Sequence, residues 1–257
     1  MMAFRTTSAV GLAVRAFIFS FGLVAIIWGI YTLPIFWRQA GMERLANHIT
    51  AGDPFKANIL TALIPQLDAL QAENPARPGT LKNAAVIRLR ILEQATVDAD
   101  TVAADRQMTE LRAAIGKSLQ GAPADPFLWL VYFWLENTQK GFSGENLKYL
   151  RMSYSLGPNE GWVAVKRNRL ALALFSQLSP ELSESAITEF ASLVDSRFFN
   201  EAANILIGPG WQLRDILLPR LKDVAEVNRQ LFAKTVYRLG YDISVPGVEP
   251  RDQRPWH

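Results

Sequence analysis

The sequence predicts an all-α protein, in which one N-terminal transmembrane helix precedes a domain built from helical hairpins. Three observations support this fold class. An almost unbroken apolar run covers residues 16–37. Beyond it, apolar residues recur at positions i, i+3 and i+4, the spacing that places them on one face of a helix. No stretch alternates apolar and polar residues between turn signals, as a half-buried strand would.

The apolar run is long enough to cross a membrane as a single helix. At about 1.5 Å per residue it spans roughly 33 Å, against a hydrocarbon core of about 30 Å. Arg15 and Arg38 flank the run, and Trp28, Tyr31 and Trp37 lie toward its distal end, as in the aromatic belts of membrane interfaces. We therefore expect a membrane anchor in residues 1–38.

A cleaved signal peptide is the alternative interpretation of the same run. Signal peptides have apolar cores of about 7–15 residues, followed by small residues at the cleavage site. Here the core is longer and its distal end, LPIFW at 33–37, is bulky, which favours an uncleaved anchor. Arg5 and Arg15 precede the run without an acidic residue. Although Arg38, Arg44 and Lys56 follow the span, this pattern favours a single span with a cytoplasmic N-terminus and the domain on the far side, which for a bacterial inner membrane is the periplasm.

The composition of the chain that follows the anchor excludes several classes of function. All 24 acidic residues and all but two of the 27 Lys and Arg residues lie beyond residue 37, which leaves a formal charge of +1 there. A near-neutral domain lacks the basic surface typical of nucleic-acid-binding proteins. The chain has no cysteine and only two histidines, His48 and His257, so thiolate sites, His-ligated metals and Ser-His-Asp triads lack their parts. We expect no metal, no cofactor and no enzymatic activity.

The membrane-proximal region, residues 39–122, contains three predicted helices. The first begins after Asp53 and Pro54, which provide a cap and a first-turn proline. The second begins near Pro78, and the third runs over about 102–119 with apolar residues on one face.

A repeated motif marks the next region, residues 123–245. The string ADPFLW at 124–129 is echoed by LGPNEGW at 156–162, so that Pro126 and Pro158 stand 32 positions apart. A proline-initiated helix, a glycine turn, a second helix and a new proline are typical of a helical-hairpin repeat.

The limits of this repeat follow from the same patterns. The two helices of the first hairpin are predicted over 127–137 and 145–156, and a weaker third echo, GPGW, stands at 208–211, out of period. The last segment, 246–257, contains three prolines and is predicted to be a flexible, extended tail.

The string YLRMSYSLGPN at 149–159 resembles the end of a second helix in the tetratricopeptide family, with Leu156 and Pro158 at the family's leucine and proline positions. The resemblance implies a solenoid of helical hairpins whose groove binds extended peptides. The anchor ending LPIFWRQ and the run FLWLVYFWLEN are also similar to uncharacterised alphaproteobacterial membrane proteins associated with surface-polysaccharide gene clusters. That similarity implies a role in envelope or exopolysaccharide assembly and export.

Aromatic residues surround one predicted helix, at Phe127, Trp129, Tyr132, Phe133 and Trp134. A central helix that neighbours bury on most sides would show this pattern. Alternatively, Trp129 with Tyr132 or Trp134 protrudes into a groove, where it stacks on a sugar ring or holds a peptide.

The tight basic cluster of Lys166, Arg167 and Arg169 also has a structural and a binding interpretation. Consecutive helical residues point about 100° apart, so the three cations cannot share one narrow stripe. They form either a solvated helix face, paired with neighbouring acidic residues, or the wall of a groove that binds a carboxylate-bearing polysaccharide or an acidic partner segment.

Three glutamates nearby, Glu181, Glu184 and Glu189, are interpreted as a solvated helix surface and not as a catalytic pair. A glycosidase holds its two carboxylates about 5–9.5 Å apart across a cleft, generally on different elements. The sequence therefore favours a non-enzymatic, membrane-tethered interaction scaffold with protein partners in a membrane complex. A direct glycan- or peptide-binding module that uses an aromatic and basic groove is the alternative.

Overall fold

The computed structural model describes the backbone of residues 4–51, 53, 55–72 and 77–249, without the side chains of 4–10, 34–39, 51 and 57. Every regular element in these residues is helical, which confirms the all-α prediction. The α-helices are α1 (Phe4–Ala51), α2 (Ala57–Thr61), α3 (Ile64–Ala72), α4 (Pro78–Val97), α5 (Thr101–Gly121), α6 (Pro126–Lys140), α7 (Leu147–Leu156), α8 (Gly161–Ala173), α9 (Pro180–Asp195), α10 (Phe199–Ile207), α11 (Arg214–Arg220) and α12 (Glu226–Arg238). By its contacts the chain divides into two compact units, Met1–Ala114 and Ile115–His257.

Helix α1 contains the one described segment that is long and apolar enough to cross a membrane. This segment, Gly11–Leu33, has 23 residues, and none of its most apolar stretch is buried. Trp28 and Tyr31 are 69% and 76% exposed. The side chains of Trp37 and Arg38, which the sequence assigns to the interface, lie outside the described residues. The structure therefore confirms one spanning candidate, by length and composition.

The anchor helix does not end at residue 38, as the predicted boundary implied. It continues without a break to Ala51, and its last turns pack against α4. Met42 is only 4% exposed and belongs to a core cluster with Leu60 and Ile87. The continuation is physically simple, because Met42, Leu45 and Ile49 repeat at helical spacing and bury one face of the same helix.

The other helices of the first unit largely follow the sequence. Helix α4 begins at Pro78 and α5 at Thr101, as predicted. The predicted cap of the first helix is wrong, because the carboxylate of Asp53 lies 2.6 Å from His48 Nδ1 and the residue before α2 is Lys56. Pro54 lies outside the described residues.

A buried arginine joins three helices of this unit. The guanidinium of Arg88 in α4 donates to Asp68 Oδ1 at 2.5 Å and to Gln71 Oε1 at 2.7 Å, both in α3. It also donates to Gln107 Oε1 in α5 at 3.2 Å. The charge is paired inside the fold with Asp68, although the buried Nε has no hydrogen-bond partner. Arg88 therefore joins the helices and is not available to a ligand.

The second unit begins with the predicted hairpin, α6 followed by α7. Asp125 Oδ1 accepts hydrogen bonds from the amides of Phe127 and Leu128, both at 3.0 Å, and Pro126 occupies the first turn. The proline-initiated start is the one that the sequence predicted, and the structure adds the N-terminal cap by Asp125. Gly157, which follows α7, packs against the start of α6. A Cβ at this position would lie 2.5 Å from the ring of Pro126, so only glycine lets the two segments come this close.

The later helices form the larger core of the second unit. Helices α8 to α12 surround a continuous apolar cluster that includes Phe190 and Phe232, whose rings meet edge to face at 5.9 Å. Pro158 does not open the second hairpin, as the repeat predicted, because it lies in a turn and α8 begins at Gly161. The third echo, GPGW, lies between α10 and α11 and does not begin a first helix.

The segment after α12 differs from the predicted flexible tail. Val245 is buried, and Val248 packs against the core of the second unit. Arg229 Nη1 donates to the carbonyl of Pro246 at 2.5 Å and fixes the turn that follows. Residues 246–249 are therefore part of the fold, and residues 250–257 lie outside the described residues.

Candidate functional site

The aromatic residues of α6 divide between the core and the surface. Phe127 and Phe133 are buried, whereas Trp129, Tyr132 and Trp134 are half-buried. The burial of Phe127 and Phe133 fits the interpretation of a central, packed helix, and a ligand-binding role for Trp129, Tyr132 or Trp134 stays a prediction.

Tyr149 of α7 connects two of the predicted site residues. Its ring is nearly parallel to that of Trp129, with an interplanar angle of 13° and a centroid distance of 5.9 Å. Tyr132 meets it edge to face at 4.8 Å. The Nζ atom of Lys148 lies 5.0 Å from the Tyr149 ring centroid, a cation–π contact. Trp129, Tyr132, Tyr149 and Lys148 therefore form one surface, hereafter the aromatic face.

Part of this face is held in place by the loop before α6. Trp129 Nε1 donates to the carbonyl of Pro123 at 2.7 Å, which fixes the orientation of the indole ring. Trp134 is not in ring contact with this cluster in the described part of the chain. Sequence reasoning missed Tyr149, although it begins the string that carried the family resemblance. Its proximity to Trp129 depends on how α6 and α7 pack, which local periodicity does not give.

The two repeat tryptophans occupy different settings. Trp162 of α8 packs across hairpins on Phe127, with ring centroids 4.7 Å apart. Trp129 packs within its own hairpin on Tyr149. Their equivalence in the sequence repeat is therefore not an equivalence of contacts.

The three cations of the basic cluster in α8 differ in their exposure to solvent. Lys166 and Arg169 are exposed, and Arg167 is completely buried. Neither sequence interpretation of Arg167 is correct, because it belongs neither to a solvated face nor to a groove wall. The cause is helix geometry: at about 3.6 residues per turn, successive side chains point about 100° apart. Arg167 and Asn168 therefore face the core, while Lys166 and Arg169 face outward.

Arg167 joins α7, α8 and α9 through hydrogen bonds from all three of its nitrogens. Its Nε and Nη2 atoms donate to Glu189 Oε1 at 2.9 and 2.5 Å. Nη1 donates to the carbonyl of Ser153 at 2.5 Å, and Nη2 also donates to the carbonyl of Gly157 at 3.0 Å. The guanidinium lies 4.2 Å from the ring centroid of Tyr154. These bonds tie the first hairpin of the second unit to the next.

Burial shifts the pKa values of the acids around this arginine. Burial raises the pKa of Glu189, and the attraction and hydrogen bonds of Arg167 oppose that rise. Burial, followed by repulsion from the Glu189 carboxylate, raises the pKa of the Tyr154 hydroxyl. Both shifts follow from the desolvation of a charged form, which a non-polar surrounding always disfavours.

Glu189 therefore differs from the two other glutamates that were predicted to lie on a solvated surface. Glu181 lies 3.7 Å from Arg151 and is exposed, and Glu184 pairs with Arg220 at the surface. The solvated interpretation is wrong for Glu189 because its position faces α8, where Arg167 supplies a counter-charge.

No cluster of three His, Asp or Glu side chains that could hold a metal ion occurs among the described residues. Within them, the exposed His48 contacts only the single carboxylate of Asp53. What the described surface of the second unit offers is the aromatic face and the exposed cations of α8. Exposed aromatic rings offer stacking contacts, and exposed cations offer charge.

Comparison of the chain with models of protein families, with curated proteins and with solved structures finds no match. The function is therefore inferred from the residues and contacts described above.

Proposed function

We propose that this chain is a non-enzymatic interaction scaffold, tethered to a membrane by α1 and presenting a tetratricopeptide-like stack of helical hairpins to protein partners. The observation that carries the proposal is α1 itself. Its apolar segment, Gly11–Leu33, is unburied by the rest of the chain, while the last turns of the same helix lie in a core. An apolar surface of that size is stable only in contact with lipid or another apolar partner.

The hairpin arrangement supports the second half of the proposal. Helices α6 and α7 pack as one pair and α8 and α9 as the next, with Arg167 joining them. Stacked hairpins expose an extended surface that serves binding in many repeat proteins. The scarcity of histidine and the absence of cysteine support a non-catalytic role.

We place the domain on the periplasmic side of a bacterial inner membrane. Arg5 and Arg15 precede the span without an acidic residue, which favours retention of the N-terminus in the cytoplasm. In that compartment the scaffold would serve an envelope or exopolysaccharide assembly machine, as the sequence resemblance implies.

Direct glycan or peptide binding is the second candidate function, and the aromatic face favours it. Near-parallel Trp129 and Tyr149 rings beside a lysine offer a stacking surface and a positive charge together. A sugar that carries a carboxylate would find both contacts there.

Crosslinking in intact cells followed by purification in detergent and mass spectrometry tests the scaffold. We expect the full chain to retain specific protein partners that are absent when residues 1–38 are replaced by a cleavable signal peptide. A chain that captures no protein in the membrane but binds acidic oligosaccharides on a glycan array would refute the scaffold and support the second candidate.

A charge-matched pair of variants then tests the exposed cations of α8. Lys166→Gln with Arg169→Gln should leave stability within about 0.5 kcal/mol, as surface substitutions usually do. Lys222→Gln with Arg197→Gln removes two exposed charges elsewhere in the same unit and serves as the control. Partner capture lost only in the first variant would assign these cations to the binding surface. Capture retained in both would make them a solvated face.

A further inference from the structure

Helix α12 packs on the second unit by one face and leaves the opposite face exposed. Phe232 and Val236 are buried in the core that α12 shares with α9 and α10. On the other side, Val227, Leu231 and Tyr237 are 65%, 41% and 51% exposed. Large apolar side chains grouped on one exposed helix face mark a surface that a partner covers.

The charged side chains of this exposed face are ordered along the helix. Glu226 stands in the first turn of α12, Arg238 stands in the last turn, and Lys234 precedes Arg238 by one turn. All three are exposed. Glu226 accepts a hydrogen bond from the side-chain amide of Gln230 at 2.9 Å. Arg238 Nε donates to the carbonyl of Lys234 at 3.4 Å, so within the described residues these charges are not neutralised by ion pairs.

Three other charged groups lie beside this face. Arg229 is half-buried and its Nη1 atom donates to the carbonyl of Pro246 at 2.5 Å, so its guanidinium lies against the segment that follows α12. Asp242 has an interaction of its own, and its carboxylate is therefore not free for a partner. Glu249 lines the recess between α12 and that segment, as Glu226 does. On α12 itself, the exposed charges are one acid at the amino end and two cations toward the carboxyl end.

This order makes the face complementary to itself. Two identical helices that pack antiparallel about a two-fold axis place the first turn of each beside the last turn of the other. With the axis beside Leu231, Glu226 of one copy lies level with Arg238 of the other. Val227 of one copy then lies level with Tyr237 of the other, and the two Leu231 side chains meet. The same charge order suits the helix dipole, but the dipole does not explain the apolar residues between the charges.

We propose that the exposed face of α12 binds a second copy of this chain, with the two α12 helices antiparallel about a two-fold axis beside Leu231. Apolar side chains fill the centre of the contact, and Glu226 of each copy pairs with Lys234 and Arg238 of the other. The inference rests on the proposed scaffold function, because the anchor brings copies together and a pair presents two aromatic faces to partners.

The pair should be weak outside a membrane. Helix α12 has 13 residues and is about 20 Å long, so a contact between two copies buries less than the roughly 1,200 Å² of stable complexes. Two chains held by α1 in one membrane meet at a much higher effective concentration. We therefore expect paired chains in membranes and mostly single chains in dilute detergent.

Disulfide crosslinking in isolated membranes tests the arrangement, since the chain has no cysteine of its own. Leu231→Cys should crosslink to its own copy on mild oxidation. Val227→Cys should not, because its two copies stand about 12 Å apart along the helices and a disulfide spans Cα distances of up to about 7 Å. Co-expressed Val227→Cys and Tyr237→Cys chains should crosslink to each other. Ile216→Cys in α11 replaces a comparably exposed side chain, at 47%, and should not crosslink.

Charge reversal tests the complementarity. Glu226→Arg makes the charges of the face all cationic, and Lys234→Glu with Arg238→Glu makes them all acidic. In chains that also carry Leu231→Cys, each change alone should slow crosslinking about tenfold, because every charged contact occurs twice in a symmetric pair. Co-expression of the two kinds of chain should restore crosslinking between them. Glu201→Arg reverses an exposed acid in the first turn of α10 and should leave the rate unchanged.

The outcomes separate this proposal from the scaffold. No crosslink of Leu231→Cys in membranes, a crosslink of Val227→Cys to itself, or equal rates for reversed and unmodified faces would each overturn the antiparallel pair. Crosslinks from Leu231→Cys to a different protein would assign the face to that protein and also overturn it. Protein partners captured without self-crosslinking would leave the scaffold standing, whereas self-crosslinking without captured partners would leave only the pair.

Discussion

Replacement of Arg167 by methionine should destabilise the second unit more than any exposed substitution in it. Methionine keeps much of the apolar volume of the side chain but none of its donors. The change leaves the carbonyl of Gly157 without its 3.0 Å donor and the carboxylate of Glu189 without its counter-charge. Both groups remain buried among α7, α8 and α9.

The magnitude follows from the contacts that are lost. A buried acceptor left without a partner costs about 1–3 kcal/mol, and removing one member of a buried ion pair costs about 3–5 kcal/mol in total. For a protein of this size, about 2–4 °C of melting temperature correspond to 1 kcal/mol. We expect the melting temperature to fall by roughly 6–20 °C.

The loss should also depend on pH, with a sign set by Glu189. Its pKa is already raised above the ordinary value of 4.5 by burial, and Arg167 opposes that rise. Without Arg167 the pKa rises further. A carboxyl whose folded pKa is raised contributes stability that is complete below its ordinary pKa and lost as the pH rises through the folded pKa. The deficit of Arg167→Met relative to the unmodified chain should therefore be smaller near pH 4.5 and larger near pH 8.

Circular dichroism melts at both pH values measure this. Arg220→Met is the control, since it breaks a partly exposed ion pair between α11 and Glu184, which lies on the same helix α9 as Glu189. Such exposed pairs contribute about 0–1 kcal/mol. A melting temperature within about 2 °C of the unmodified chain at pH 8 would refute the structural role of Arg167. An equal deficit at both pH values would refute the charge contribution of Glu189.

Three further predictions concern the anchor and the first hairpin. The mature protein should retain residue 1 or 2, and N-terminal sequencing that begins near residue 40 would contradict the anchor. A chain that starts at residue 39 should keep its helical circular dichroism signal, whereas one that starts at residue 50 loses Met42 from the core and should lose part of that signal. Trp129→Ala should lower the free energy of unfolding by about 2–3 kcal/mol, less than the 3–5 kcal/mol typical of a fully buried tryptophan, because the ring is half-buried. An unchanged midpoint of urea unfolding would show that its stacking on Tyr149 contributes nothing. Gly157→Ala should destabilise by about 1–3 kcal/mol, because its Cβ would meet Pro126, whereas Gly144→Ala meets nothing within 4 Å and should melt as the unmodified chain does.

The features that the sequence predicted are those with local causes. The length of an apolar run does not depend on tertiary contacts, so the sequence alone predicted the candidate membrane span. The sequence predicted where α4 begins and, to within two residues, both ends of α5. The start of α6 at Pro126 depends only on neighbouring residues, and the structure confirms it.

The features that the sequence missed depend on contacts between distant segments. Lys166, Arg167 and Arg169 are equivalent in a charge pattern, yet only Arg167 faces Glu189, 22 positions away. Tyr149 belongs to the aromatic face because α7 folds back on α6.

Segment boundaries show the same division. The end of the anchor and the start of the tail were placed by composition, but Met42 belongs to a core and Val248 packs against one, and other helices complete both cores. Burial is a property of the packed chain, because the free energy of removing a side chain from water depends on which surfaces cover it. Periodicity tells which residues share a helix face, and only the tertiary structure decides what that face meets.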